Sequence, residues 1–398
     1  MMRRRLSYIL AHLSYGMILA GTVSATAQTR VWSVKLETVG WQDPYIDMRA
    51  QFKRESDDRV AAQADIKAGK APHYKPVDLD LGVNWSRELA VDSAGQVYLG
   101  FAAKRENLDA PKALRVVMLS AQNGALVRQM DLPTPVWGRT AVMLAEDDTP
   151  LLVAGDRVQR VNKDGSMGNS VAIPPQPKIN PGLWVIQSPS GKTLLLTTDE
   201  QFFRFVSPDT LATIVECRMK DNEVETINDS LGMGLADGSN HQFEEHAGPF
   251  CGPMPRLWPV GDGRSTEVRL LEDGSVIEVG TEAVRRLTRQ DKPQWSWKSP
   301  EGTLPTGLAG IAISRNGERV AVEEEVFHTL RPLGCMECKG PEFESWGVGV
   351  AVLDTATGKQ VGLAPLDHAT LDRTAFAFSA DGKKLAVMNA GVLEMWSF

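Results

Sequence analysis

The stretch Thr374-Ala-Phe-Ala-Phe-Ser-Ala-Asp-Gly-Lys-Lys-Leu-Ala-Val-Met388 decides how the rest of the chain is read. Two alternating apolar runs flank Ala380-Asp381-Gly382, a tip whose Asp-Gly pair tolerates the positive φ that a tight β-hairpin demands. The phrase returns upstream. Ile311-Ala-Ile-Ser and Val320-Ala-Val flank Arg315-Asn316-Gly317, and Val268-Arg-Leu-Leu and Val276-Ile flank Glu272-Asp273-Gly274. Trp184-Val-Ile-Gln turns at Ser188-Pro-Ser-Gly191, Ala141-Val-Met-Leu at Glu146-Asp147-Asp148, and Leu89-Ala-Val at Asp92-Ser-Ala-Gly95. A weaker seventh tip centres on Ala236-Asp237-Gly238. With tips at 95, 148, 191, 238, 274, 317 and 382, the spacing runs from 36 to 65 residues and centres on the forties, the length of a four-stranded blade. Second turns follow, as at Ser120–Gly124, Asn162–Gly165, Ser207–Thr210 and Asp354–Gly358. The pattern predicts an all-β fold, a β-propeller of about seven four-stranded blades over residues 81–398.

An unpaired fourth position in the last blade would leave an open sheet edge, a template for association. Thr29 to Thr38 alternates Val31, Ser33 and Lys35 against Trp32, Val34 and Leu36, and is expected to supply that strand. Residues 28–80 thus comprise a closing strand and a polar excursion, helical in part between Pro44 and Lys75. Ahead of them, Arg3-Arg4-Arg5, an apolar stretch from Leu6 to Gly21 and small residues ending at Ala27 have the three parts of a secretory signal peptide over residues 1–27. The stretch is short for a membrane anchor, and His12 and Ser14 interrupt it. Export to the periplasm or the extracellular space, with Gln28 as the new N-terminus and no membrane span in the mature chain, is the expectation.

Val352-Leu-Asp-Thr-Ala-Thr-Gly-Lys359 and Gly391-Val-Leu-Glu-Met-Trp396 resemble the outer turn and the third strand of bacterial YVTN and WD40-like repeat propellers. The resemblance covers residue 81 to the end, with the N-terminal strand added. It stays at superfamily level, because Ser397 replaces the usual Asp and the Gly-His dipeptide of WD40 repeats is missing.

The formal charge of −7 becomes −10 without the three arginines, which argues against nucleic acid, whose binding needs a basic face. Cys217, Cys251, Cys335 and Cys338 are an even set in an exported chain and read first as disulfides. Cys217 with Cys251 would join neighbouring blades, and Cys335 with Cys338 would close a local loop. A four-thiolate zinc site would need distant loops to converge, and a redox pair lacks its helical setting. Cys251 and Cys335–Cys338 lie in insertions expected to decorate one face.

No phosphate loop, nucleophile elbow or metal-binding His pair is present in the sequence, and no cofactor is expected. Glu323-Glu324-Glu325 alternates faces on a strand and reads as a solvated strand end rather than a cation site. Aligned on the tips, Arg139 and Arg373 stand nine residues ahead of Asp148 and Gly382, and Arg87 stands eight ahead of Gly95. They would form a cationic arc for a carboxylate or phosphate where blades seven, one and two meet; pairing of each with a local acid is the plainer reading. Trp85, Trp137 and Trp184 precede inner strands as contacts for a ligand or as core between blades. The expected function is a binding or scaffolding module for a protein, peptide or glycan on the loop-bearing face. The alternative is an enzyme of the lactonase or quinoprotein kind with its site at the channel mouth.

Overall fold

The computed structural model describes residues 28–41, 89–102, 113–133, 202–218, 292–329, 343–366 and 374–398 continuously, and 53–70, 140–172, 184–198, 226–259 and 265–288 in part. Its strands form seven antiparallel four-stranded sheets. Sheets I to VI are consecutive in sequence, spanning residues 89–133, 140–172, 184–218, 226–259, 265–297 and 304–365. Sheet VII takes three strands from 375–397 and its fourth from the other end of the chain. There Thr29–Lys35 pairs antiparallel with Val392–Ser397, from Thr29 opposite Ser397 to Lys35 opposite Val392. The expected closing strand is therefore present, ending at Lys35; Leu36–Val39 turns into a 3-10 helix capped by Gly40 in the left-handed region.

Alternation dictates which side chains meet. In the closing strand Trp32 is buried and Val31, Ser33 and Lys35 are exposed. Trp32, with Leu36 and Val39, packs on Leu89, Val97, Leu99 and Leu119 of sheet I and on Leu393 and Met395 of sheet VII. Equivalent apolar seams join I to II through Tyr98, Val116, Val142 and Leu152, and II to III through Leu151, Val153, Leu194 and Leu196. Others join V to VI through Ile277, Val279, Val320 and Val322, and VI to VII through Ala321, Val350, Phe378 and Val387. The first strands of sheets V, VI, VII, I and II lie side by side in that order. Six sheets thus stack face to face through these seams.

Five of the seven expected tips join first and second strands of sheets I, II, V, VI and VII, and Ser188–Gly191 joins those of sheet III. The seventh expectation is corrected: Asp237-Gly238 lies between the second and third strands of sheet IV, whose first hairpin spans 228–231. Asp-Gly serves any tight turn, so the dipeptide alone does not tell which pair of strands it joins. The expectation of both insertions on one face is also corrected. The 244–256 connection joins third and fourth strands and the 330–342 connection joins second and third, so the two leave their sheets at opposite ends. Residues 60–67 are helical, as expected of the polar excursion.

Candidate functional site: the hairpin-tip end and its clefts

The first hairpins share one geometry. In sheets I, VI and VII a glycine holds the third tip position at positive φ (Gly95, 81°; Gly317, 72°; Gly382, 68°). In sheet II that position is Asp148, at φ 61°. An L-residue there costs roughly 1 kcal/mol, and Asp148 spends it on bonds between sheets. Its carboxylate accepts from the backbone N–H of Ser93 (3.2 Å) and the Ser93 hydroxyl in sheet I, and from Arg315 Nη1 (3.0 Å) at the tip of sheet VI. Arg315 also donates to the Glu146 carbonyl (3.3 Å). Asn316 N–H donates to Ala380 O (3.2 Å), tying the tips of VI and VII. Four hairpin tips from four sheets are thereby held together at one end of the stack.

Between tips, the seams carry a repeated cross-brace made by two side chains paired across adjacent strands. In sheet V, Arg286 (third strand) lies opposite Ile277 and Trp295 (fourth strand). Arg286 donates through Nη2 to Asp273 Oδ2 at its own tip, through Nε to Ser275 Oγ (2.9 Å), and through Nη1 to the Thr355 carbonyl of sheet VI (2.9 Å). Trp295 Nε1 donates to the same carbonyl (2.9 Å). Sheet II repeats the arginine: Arg160 bonds Asp147 Oδ2 (2.9 Å) and the Pro208 carbonyl of sheet III (2.7 Å). Sheet VII repeats the tryptophan: Trp32 Nε1 donates to Ala121 O of sheet I (3.1 Å). The indole lies flat on the next outer turn, which must be glycine. A Cβ on Gly124 would stand 2.7 Å from Trp32, and one on Gly358 2.6 Å from Trp295. Partial desolvation pushes the carboxyls of the exposed Asp147 and Asp273 up, but the N–H and hydroxyl of Thr149 or Ser275 and the guanidinium outweigh it and hold both below the usual carboxylate range.

Two clefts open beside the tips. One, between V and VI, has a volume of about 550 Å³ and is lined by Asp273, Arg286, Arg315, Arg319, Asp354 and Thr355. The other, between I and II, has about 460 Å³ and mixes Asp92, Tyr98 and Asp148 with Met118, Met130 and Val161. Asp92 and Tyr98 are buried. Burial, then the nearby Asp148 charge, pushes the Asp92 carboxyl up against its backbone N–H bonds, and burial with Asp92 beside it pushes the Tyr98 phenol up to about 12.

The Glu323–Glu325 run is not a solvated strand end; all three are buried. The second strand of sheet VI continues to Thr329 and is paired throughout, and glycines opposite make room for carboxyls. A Cβ on Gly347 would stand 2.2 Å from Glu323 Oε1. The side chains do alternate. Glu323 accepts from the Thr374 hydroxyl at sheet VII, itself bonded by Asn389. Glu324 lies on the face of Val320 and Val322, toward sheet V, where its Oε1 has no hydrogen-bond partner. Burial pushes its pKa up to about 7.

Arg87, Arg139, Arg373, Trp85 and Trp137 lie outside the described residues, as do Cys251, Cys335 and Cys338. Trp184 and Cys217 sit on strands of sheet III, and their side chains are outside the described set. Among the described residues no group of three His, Cys, Asp or Glu could hold a metal ion, and no helix is long and apolar enough to cross a membrane. What sequence reading missed is the tip-end network: Asp148, Arg315, Arg160, Arg286 and Asp92. The only signal for it was an Asp where the other tips carry Gly.

No protein-family model and no curated protein matches the chain. Among solved structures, the crystal structure of Chaetomium thermophilum Raptor, a chain containing a WD40 β-propeller, aligns with a TM-score of 0.51 at 13% identity. The alignment covers 79% of this chain and 28% of that one, so the likeness is one of propeller-like fold and spans little more than a quarter of Raptor.

Proposed function

We propose that the chain is an exported, closed seven-bladed propeller of the YVTN/WD40-like type that works as a binding module for a protein, peptide or glycan. Its working surface is the end where the hairpin tips meet. The supporting observation is the Asp148 junction: a left-handed aspartate, Ser93 and Arg315 fix three tips at once beside two charged clefts. Strain kept at an exposed junction preorganises a surface, and preorganisation lowers the entropy lost on binding. The end carrying Arg87, Arg139 and Arg373 belongs to the same proposal as a second, anion-selective mouth.

The test is site-specific photo-crosslinking of the intact protein in the exported fraction, with the crosslinker at Gln96 or Asn316 and, as control, at Val31 or Ile214. A saturable adduct of defined mass at the tip positions alone is expected; equal labelling at all four overturns the reading. N-terminal sequencing is expected to begin at Gln28. A closed ring of roughly 370 residues has a radius of gyration of about 21 Å, and a markedly larger value from solution scattering excludes closure.

A further inference from the structure

A guanidinium carries its N–H donors on three nitrogens, and a fold that half-buries one must find them partners. Arg286 uses all three: Nε on Ser275, Nη1 on the Thr355 carbonyl and Nη2 on Asp273. Arg315 and Arg319 line the same cleft between sheets V and VI and do not. Arg315 donates only through Nη1, to Asp148 Oδ1 (3.0 Å) and the Glu146 carbonyl (3.3 Å). Arg319 donates only through Nη1 as well, to Asp354 Oδ2 (2.7 Å) and the Glu318 carbonyl (3.0 Å). The Nε and Nη2 groups of both have no partner among the described residues. That edge of a guanidinium is a planar fork, able to grip a carboxylate with two parallel bonds.

Both forks are fixed and open. The two side chains are 25% and 29% exposed, each held from behind by its aspartate. The stem of Arg319 also packs at the tip of sheet VII, where a Cβ on Gly382 would stand 3.0 Å from its Cγ. The described side-chain atoms that are both buried and unpartnered are Ser299 Oγ, Glu324 Oε1 and Thr355 Oγ1, so the free guanidinium nitrogens stand within reach of a ligand. Gly317 lies two residues from each arginine, and a Cβ there would meet nothing within 4 Å. The cleft, about 550 Å³, has room for a side chain.

The acids of the cleft are already engaged. Asp273 and Asp354 each accept from a backbone N–H, a hydroxyl and a guanidinium, and Glu318 accepts from Asn316. Apart from one Glu318 oxygen, what is left over is donors. Three acids and three arginines cancel in the lining, so a doubly charged phosphate would meet more repulsion than a carboxylate.

We propose that the cleft between sheets V and VI recognises a carboxylate, which the free forks of Arg315 and Arg319 take from an acidic side chain or the C-terminus of a partner peptide. The inference narrows the binding-module reading to a ligand group, and it rests on that reading for the partner being a peptide.

The test is titration of the full chain, followed through the arginine Nε–H signals by NMR. The probes are a short end-blocked peptide centred on glutamate, its glutamine counterpart, the glutamine peptide with a free C-terminal carboxylate, and a phosphoserine peptide. The glutamate or the free-carboxylate peptide should move the Arg315 and Arg319 signals, and the tighter of the two names the source of the carboxylate. The blocked glutamine peptide should bind at least tenfold more weakly than that one. Arg319→Lys keeps the charge but not the fork, and should weaken binding at least tenfold with an unchanged far-UV spectrum. Should that variant fail to fold, the comparison with the blocked glutamine peptide on the wild type still decides. No preference for a carboxylate over the blocked glutamine peptide, shifts confined to other arginines, or undiminished binding to folded Arg319→Lys overturns the site. Tighter binding of phosphoserine overturns the carboxylate assignment. A null titration with tip crosslinks retained removes the carboxylate site and leaves the binding module; carboxylate binding without crosslinks does the reverse.

Discussion

Glu324 makes stability fall as pH rises. Its carboxyl is buried with an unpartnered oxygen, and its pKa stands at about 7 against 4.5 for the free group. The folded state therefore holds the proton more tightly than the unfolded chain. Below about pH 4.5 both states are protonated and the residue costs nothing. Between 4.5 and 7 the unfolded chain ionises first, so the contribution is lost progressively, and above 7 the loss is complete. At roughly 1.36 kcal/mol per pH unit the full effect is about 3 kcal/mol, of which about 2.5 falls between pH 5 and pH 8. Glu324→Gln keeps the shape and removes the titration. Urea unfolding of both proteins at pH 5 and pH 8 isolates the term, because all other groups cancel in the difference. The wild type should lose about 2.5 kcal/mol more than the variant over that interval, a midpoint shift of about 0.8 M if m is about 3 kcal/mol/M. Parallel pH dependence in the two proteins would refute the reasoning.

Other perturbations probe the braces and the closure. Trp32→Ala removes a buried indole and its bond to Ala121, and should cost about 3–5 kcal/mol by chemical denaturation. Gly358→Ala drives a methyl into the Trp295 ring at a φ of 69°, and should lower the melting temperature by several degrees, whereas the same change at Gly317, which has open space around it, should cost only its backbone strain of about 1 kcal/mol. Asp148→Gly relieves strain while giving up the Arg315 and Ser93 bonds, and should be less destabilising than Asp148→Ala by about 1 kcal/mol. Deleting residues 28–35 bares the Val392–Ser397 edge, and should shift the protein to larger species than the wild type on a sizing column.

Much of the fold was legible in the sequence because it rests on local signals: an Asp-Gly or Asn-Gly tip needs only its own four residues, and alternation in Thr29–Lys35 announces a half-buried strand wherever it docks. The braces were not. Trp295 meets Thr355 from another sheet, Arg315 meets Asp148 across 167 positions, and nothing near either residue in sequence marks its partner. The glutamate run failed for a related reason. Alternation was read correctly, but burial depends on Gly347 and on pairing with a strand that begins only after the 330–342 connection. The arginine arc and three of the four cysteines fall outside the described residues, and the tip-end network joins residues far apart in sequence.

The closing strand also sets how the molecule responds to force. Thr29 sits opposite Ser397, so the first and last described strands run antiparallel with Gln28 and Phe398 at the same end of the ladder. Tension applied between Gln28 and Phe398 therefore loads one pair of hydrogen bonds at a time, as a zipper is opened, instead of shearing the whole ladder together. The clasp that completes sheet VII would be mechanically the softest element of the stack. A partner that pulled on either end would release the Trp32 seam before disturbing any other sheet.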